Sequence, residues 1–174
     1  MKKIILIIVS LNIIAVGGLF AINGKDNYDA SKYSVTATDG INVGSKLSLT
    51  LPNQFDTSFS LTNDTKKIIF VFAKATGHTV KEFLKQQEKE YLSSRKALFV
   101  ADISPMPTVI RNTFALPDFK KSDYSVLLIY DKAIATILKN EVASDKIAIA
   151  SLENMTIKEI QYVTTEEELR KLLK

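Results

Sequence analysis

Residues 68–84 read IIFVFAKATGHTVKEFL, an apolar run that turns into a helix-like pattern with no polar linker between. Ile68 to Phe72 is continuous in its hydrophobicity, as a fully buried strand requires. Beyond it, Val80, Phe83, Leu84, Tyr91 and Leu92 recur on one helical face, with lysines and glutamates on the other. Thr79 and Glu82 have the spacing of a capping box, which predicts that Thr79 caps the start of the helix. A strand that feeds a helix directly is the start of a β–α unit.

The pattern continues downstream. KALFVADIS (96–104) is a second buried strand, followed by Ser104 and Pro105 as the expected cap and first residue of a helix. Val109, Ile110, Thr113 and Phe114 have helical spacing, and Pro117 is expected to end that helix. SVLLIYD (125–131) is a third strand, and Asp131 caps a short helix bearing Ile134, Ile137 and Leu138. KIAIASLENMTIKEIQYV (146–163) reads as two strands around a tight turn at Asn154. TTEEELRKLLK (164–174) closes as a helix, with a capping box expected at Thr164 and Glu167. Strands that alternate with helices and end in a hairpin predict an α/β sandwich on a mixed sheet.

Upstream, KLSLTLPNQFDTSFSL (46–61) alternates apolar and polar residues on both sides of Pro52 and Asn53, which predicts a β-hairpin. Residues 23–43 are rich in Asn, Asp, Gly, Ser and Thr and read as an irregular linker, so the expected domain spans 44–174. The first 22 residues place Lys2 and Lys3 before an apolar stretch from Ile4 to Ile22. That is the plan of an export signal, and a retained membrane anchor fits it as well. Either way the domain is expected outside the cytoplasmic membrane, in the periplasm, touching a membrane only through this segment.

Composition narrows the chemistry. The 174 residues are 46% hydrophobic and 24% charged, enough for a packed core. There is no cysteine, which closes disulfide exchange, thiolate nucleophiles, Cys-ligated zinc and iron–sulfur clusters to this chain. Formal charge is +4, but Lys2 and Lys3 supply two of those charges, and no basic stripe with interleaved aromatics is present. A nucleic-acid partner is not expected.

The strand–helix segment at 68–84 resembles the active-site segment of a thioredoxin, and Val126–Leu173 resembles the second half of that fold. The leading hairpin resembles the extra N-terminal strands of exported thioredoxin-like and peroxiredoxin-type proteins. The resemblance implies a thioredoxin-like α/β sandwich with a mixed central sheet and an N-terminal β-hairpin. It maps the redox pair onto Thr76 and Thr79, with Gly77 and His78 between, and the cis-proline position near Lys146, where a trans bond is expected. The segment ADISPMPTVIRNTFALPDFKKSDYSV (101–126) adds a helix and a strand to a minimal thioredoxin. It also resembles a group of exported epsilonproteobacterial proteins with a motif like ADIS.MP…FALP. Some of these carry the label of flavin-containing dehydrogenase, but the chain has no glycine-rich dinucleotide turn and only 6 glycines.

Two residues are candidates for chemistry. His78, the only histidine, could act as a general base or metal ligand, or be an exposed turn residue. Asp102 ends a buried strand, where α/β folds place ligands, or it caps the next turn with Ser104. Met106, Pro107, Phe114, Leu116 and Pro117 form an apolar unit that serves either the core or a contact surface. No cofactor and no metal are expected. The leading reading is an exported, non-redox, thioredoxin-like domain that binds an envelope protein as an accessory factor. The alternatives are an enzyme of another class using His78 and Asp102, and a membrane-tethered subunit of an envelope complex.

Overall fold

The structure, a computed structural model, describes Gly18 and residues 23–174. The leader, Gly18 apart, lies outside the described residues.

Two sheets carry the architecture. The first is antiparallel, in the order β1 (Ser34–Ala37), β2 (Leu47–Pro52), β3 (Ser58–Ser60). The second has five strands: β4 (Lys67–Val71), β5 (Ala97–Asp102), β6 (Leu127–Ile129), β7 (Ile147–Glu153) and β8 (Thr156–Val163). Their order is β6-β5-β4-β7-β8, with β4, β5 and β6 parallel and β7 and β8 antiparallel to their neighbours. Helices α1 (Lys74–Lys85), α2 (Tyr91–Ser94), α3 (Thr108–Ile110), α4 (Leu116–Phe119), α5 (Lys132–Leu138) and α6 (Glu166–Leu172) connect or follow the strands. The predicted α/β class and mixed sheet are those observed.

The apolar run at 68–72 is continuous because both faces of β4 are covered. Ile68 and Phe70 point to one core, shared with Leu47, Leu49, Leu51 and α5. Ile69 and Val71 point to the other, shared with Val80, Phe83, Leu84 and the Leu169 and Leu173 of the last helical segment. The hairpin's loop is tied down by Gln54, which is buried. Its side-chain amide donates to the carbonyl of Tyr124 (2.8 Å) and accepts from the amide of Val126 (2.9 Å), as a neighbouring strand would.

Several local expectations are corrected. The stretch 23–43 is not all irregular: it contains β1, and Tyr33, Val35 and Ile41 are buried core residues. Their alternation is hidden in a polar composition. Helix α1 opens at Lys74, not Thr79, because Ala73–Lys74–Ala75 are free to join it. Thr79 therefore sits inside the helix, its hydroxyl donating to the carbonyl of Ala75 at 3.2 Å. The helix stops at Gln86, and Tyr91 and Leu92 belong to α2.

Ser104 and Pro105 form a turn, and α3 starts at Thr108. Pro107 biases Met106 away from helical angles, while the Asp102 carboxylate takes the Ser104 amide at 2.9 Å. Pro117 does not end the helical run. Arg111–Ala115 is a π-helical turn in which the Leu116 amide donates to the Arg111 carbonyl, five residues back. A ladder already shifted in this way has room for a residue with no N–H, and the run continues to Phe119. At the last helix the capping box is Thr165 with Glu168, one residue later than expected. Asp131 caps α5 as predicted, through the Ala133 amide at 2.7 Å. The turn at Asn154 is also as predicted, with positive φ at Asn154 and Met155.

Candidate functional site

Strands β4 and β5 end side by side at Val71 and Ala101, and the chain leaves both toward helices. Between these strand ends, the first turns of α1 and the 108–119 run lies a groove of about 650 Å³. Crevices at the carboxyl ends of parallel strands are where α/β sheets bind ligands. The floor is Val71, Ala73, Gly77 and Ala101, and the far wall is Met106, Ile110 and Phe114. Ile110 and Phe114 are 47% and 62% exposed, large apolar side chains presented to solvent on one wall.

Lys81 and Asp118 form an ion pair that links α1 to α4 across the groove. The Lys81 hydrogen bond holds the Asp118 carboxyl below its ordinary value of 3.8, against the opposing effect of burial. Lys74 and Lys121 add positive charge to the lining without an ion-pair partner among the described residues. The hydroxyl of Thr113, also in the lining, is buried without a hydrogen-bond partner among the described residues.

His78 and Asp102 both line this groove. They are not hydrogen-bonded to each other. His78 is 72% exposed in its side chain and lies 3.9 Å from Glu82 through Nδ1, one turn along the helix. Asp102 holds the Ser104 amide. Thr76 is the third residue of α1, 5% exposed, and its hydroxyl donates to the carbonyl of Ala73 at 2.9 Å. Thr76 and Thr79 thus both turn their hydroxyls back onto helix carbonyls. The peptide bonds of the described residues are all trans, the one at Lys146 included.

A second cluster lies on the other side of the 108–119 run, and its residues were not singled out in the sequence. Arg111 is only 4% exposed. Its guanidinium approaches the Asp26 carboxylate at 2.7 Å and lies 4.8 Å from the ring centre of Tyr130. Tyr28 stacks between Tyr130 (4.8 Å, 7°) and Tyr33 (5.5 Å, 12°). Asn112 donates from its side-chain amide to the carbonyls of Asn23 (2.9 Å) and Lys25 (3.0 Å). An arginine inside an otherwise apolar helical pattern was the one signal available.

The arrangement of strands and helices, with α1 following the central strand and a terminal hairpin and helix closing the chain, decides the fold. The chain has a thioredoxin-like fold. A solution structure from Bacteroides thetaiotaomicron, provisionally described as a protein disulfide isomerase, matches 80% of this chain and 89% of its own with a TM-score of 0.51 at 15% identity. An uncharacterised thioredoxin-like protein from Porphyromonas gingivalis matches 71% of this chain and 86% of its own, at 18% identity and a TM-score of 0.48. The thioredoxin domain of a thiol-disulfide oxidoreductase from Bacteroides vulgatus matches 76% of this chain and 99% of its own, at 13% identity and a TM-score of 0.48. Neither a protein-family model nor a curated protein matches the sequence. This thioredoxin-like chain has no cysteine with which to run thiol–disulfide exchange.

Proposed function

We propose that this chain is an exported, non-redox, thioredoxin-like domain that acts by binding an envelope protein in the groove beside α1. The observation that carries the reading is the groove's far wall, where Ile110 and Phe114 stand exposed over an apolar floor with no thiol at the start of α1. Such a surface suits an extended, apolar segment of a partner, and Lys74 and Lys121, unpaired among the described residues, favour acidic residues at its ends. The charge-then-apolar leader supports export, and with it a partner in the periplasm or on the outer face of the inner membrane.

The test is a photo-crosslinker at position 114 in living cells. A discrete crosslinked partner is expected, lost when Ile110→Glu is added and kept when the remote Lys158→Glu is added. A crosslinking pattern indifferent to Ile110→Glu would sink the reading.

One observation supports an enzyme instead: His78 and Asp102 share the groove. Asp102 holds the Ser104 amide, and His78 is largely exposed and not bonded to Asp102, so neither orients the other as a catalytic pair requires. Binding is the better-supported function.

A further inference from the structure

The contacts that hold Asn23–Tyr28 are those by which proteins hold foreign peptides. Two backbone carbonyls, of Asn23 and Lys25, are taken by one side-chain amide, Asn112. One carboxylate, Asp26, is taken by one buried cation, Arg111. One ring, Tyr28, is sandwiched between two others. Between these points Gly24, Lys25, Asp26 and Asn27 are exposed, so the segment buries little besides the Tyr28 ring.

The fit is also imperfect in ways that a resident segment need not be. Among the described residues, the buried Tyr28 hydroxyl has no hydrogen-bond partner, and neither has Nε of Arg111. Nη2 of Arg111 meets Asp26 at ion-pair distance without making a hydrogen bond of good geometry. A buried donor left unpaired weakens the complex it sits in. The π-helical turn that begins at Arg111 sets that side chain and Asn112 next to each other on the face toward the segment.

We propose that Tyr33, Tyr130, Arg111 and Asn112 form a receptor for a peptide segment with a carboxylate two residues ahead of an aromatic ring, and that Asn23–Tyr28 fills it in cis. A partner segment of the same pattern displaces the resident one. Phenylalanine suits the aromatic position better than tyrosine, because it brings no hydroxyl to strand. This seat is separate from the groove, and it stands or falls independently of the partner proposed there.

The probe is a fluorescein-labelled peptide, NGKDNYD, the sequence of residues 23–29, titrated by anisotropy into the full chain. The Asp26→Ala/Tyr28→Ala variant, its seat vacated, is expected to bind the peptide at least tenfold more tightly than the wild type. Adding Arg111→Leu should remove that gain, and adding Phe114→Glu should leave it intact. Within the peptide, Asp→Asn at the fourth position should weaken binding and Tyr→Phe at the sixth should strengthen it. A folded double variant that binds no better than the wild type overturns the proposal. So does loss of binding that follows Phe114→Glu but not Arg111→Leu.

Should the double variant fail to fold, hydroxyl-radical footprinting of the wild type decides. Excess NGKDNFD peptide should raise the labelling of the Tyr28 ring, which leaves its stack, while leaving residues 147–163 unchanged. No change at Tyr28 overturns the proposal equally.

Discussion

The guanidinium carbon of Arg111 stands 4.8 Å from the ring centre of Tyr130, while the carboxylate that neutralises it, Asp26, is half exposed at the protein's edge. The two charges are therefore unequal partners. Replacing Arg111 by methionine keeps the packing and leaves only a solvated carboxylate. Replacing Asp26 by alanine leaves a buried cation with no counter-charge. We expect Arg111→Met to change stability by less than about 1 kcal/mol and Asp26→Ala to cost about 1–3 kcal/mol, softened as water reaches the arginine. Urea melts of the two variants check this. The reverse order would mean that stacking over Tyr130, not charge balance, governs the cluster.

The tyrosine stack should announce itself in alkali. Burial, and then the hydrogen bond to Asp56, push Tyr33 up to about 12. Burial pushes Tyr130 up to about 12 as well, with the Arg111 charge working against it. Both folded values lie above the ordinary 10.0, so the neutral phenols stabilise the fold fully below pH 10, and that stabilisation fades as pH rises through about 12. In a tyrosinate absorbance titration, Tyr33 and Tyr130 should ionise late, and all 6 tyrosines should titrate together near pH 10 in urea. Six phenols ionising together in the folded protein would contradict the burial of the stack.

Within α1 the ranking of substitutions follows from position. Thr76 is buried, so Thr76→Ala removes packed atoms and should cost about 1 kcal/mol. Thr79→Ala removes no cap and should fall within about 0.5 kcal/mol of the wild type, as should the exposed His78→Ala. A Cβ at Gly77 would meet Val71 at an ordinary 3.8 Å, so Gly77→Ala should stabilise by roughly 0.5–1 kcal/mol. Thermal melts of the four variants test the order. A destabilising Gly77→Ala would show that the start of α1 needs the freedom of glycine.

The Lys81–Asp118 bridge has a pH signature. Asp118 is held below 3.8 in the fold, so its contribution is present above that pH and is lost as pH falls through the lowered value. Asp118 is half exposed, and solvent limits the pair to about 0.2–1 kcal/mol at neutral pH. The stability gap between wild type and Lys81→Met should therefore be small at pH 7, shrink further in high salt, and vanish in acid once Asp118 is protonated. A gap that widens in acid would show that Lys81 acts through its aliphatic stem instead.

How much the sequence disclosed depended on the kind of signal. Continuous apolar strands such as 68–72 and 97–101 were plain, because burial on both faces leaves no polar residue to confuse the period. Starts of helices were less plain. TTEEEL contains two overlapping boxes, and only the need to bury Leu169 and Leu173 selects Thr165 over Thr164. Pro117 misled because a π-turn, which has no spacing signature of its own, had already made room for it. At the groove, His78 and Asp102 were placed at strand and helix ends by pattern alone, and the fold brings both to one lining. The cluster around Arg111 was out of reach, since its members come from four separate parts of the chain and meet only after folding.

The backbone between Gly44 and Leu47 is bonded to Met155 and Ile157, so the edge of the last hairpin is closed by residues from near the chain's other end. The same is true of β4, which takes its partner β7 from far downstream. Loop closure of that length is entropically slow, and the β7 side of β4 stays unpaired until residues 147–153 exist. A ribosome-bound chain lacking those residues is left with an open edge on the central strand of its larger sheet. Such an edge is a template for pairing with other chains, so a truncation before β7 is expected to aggregate more readily than the full chain.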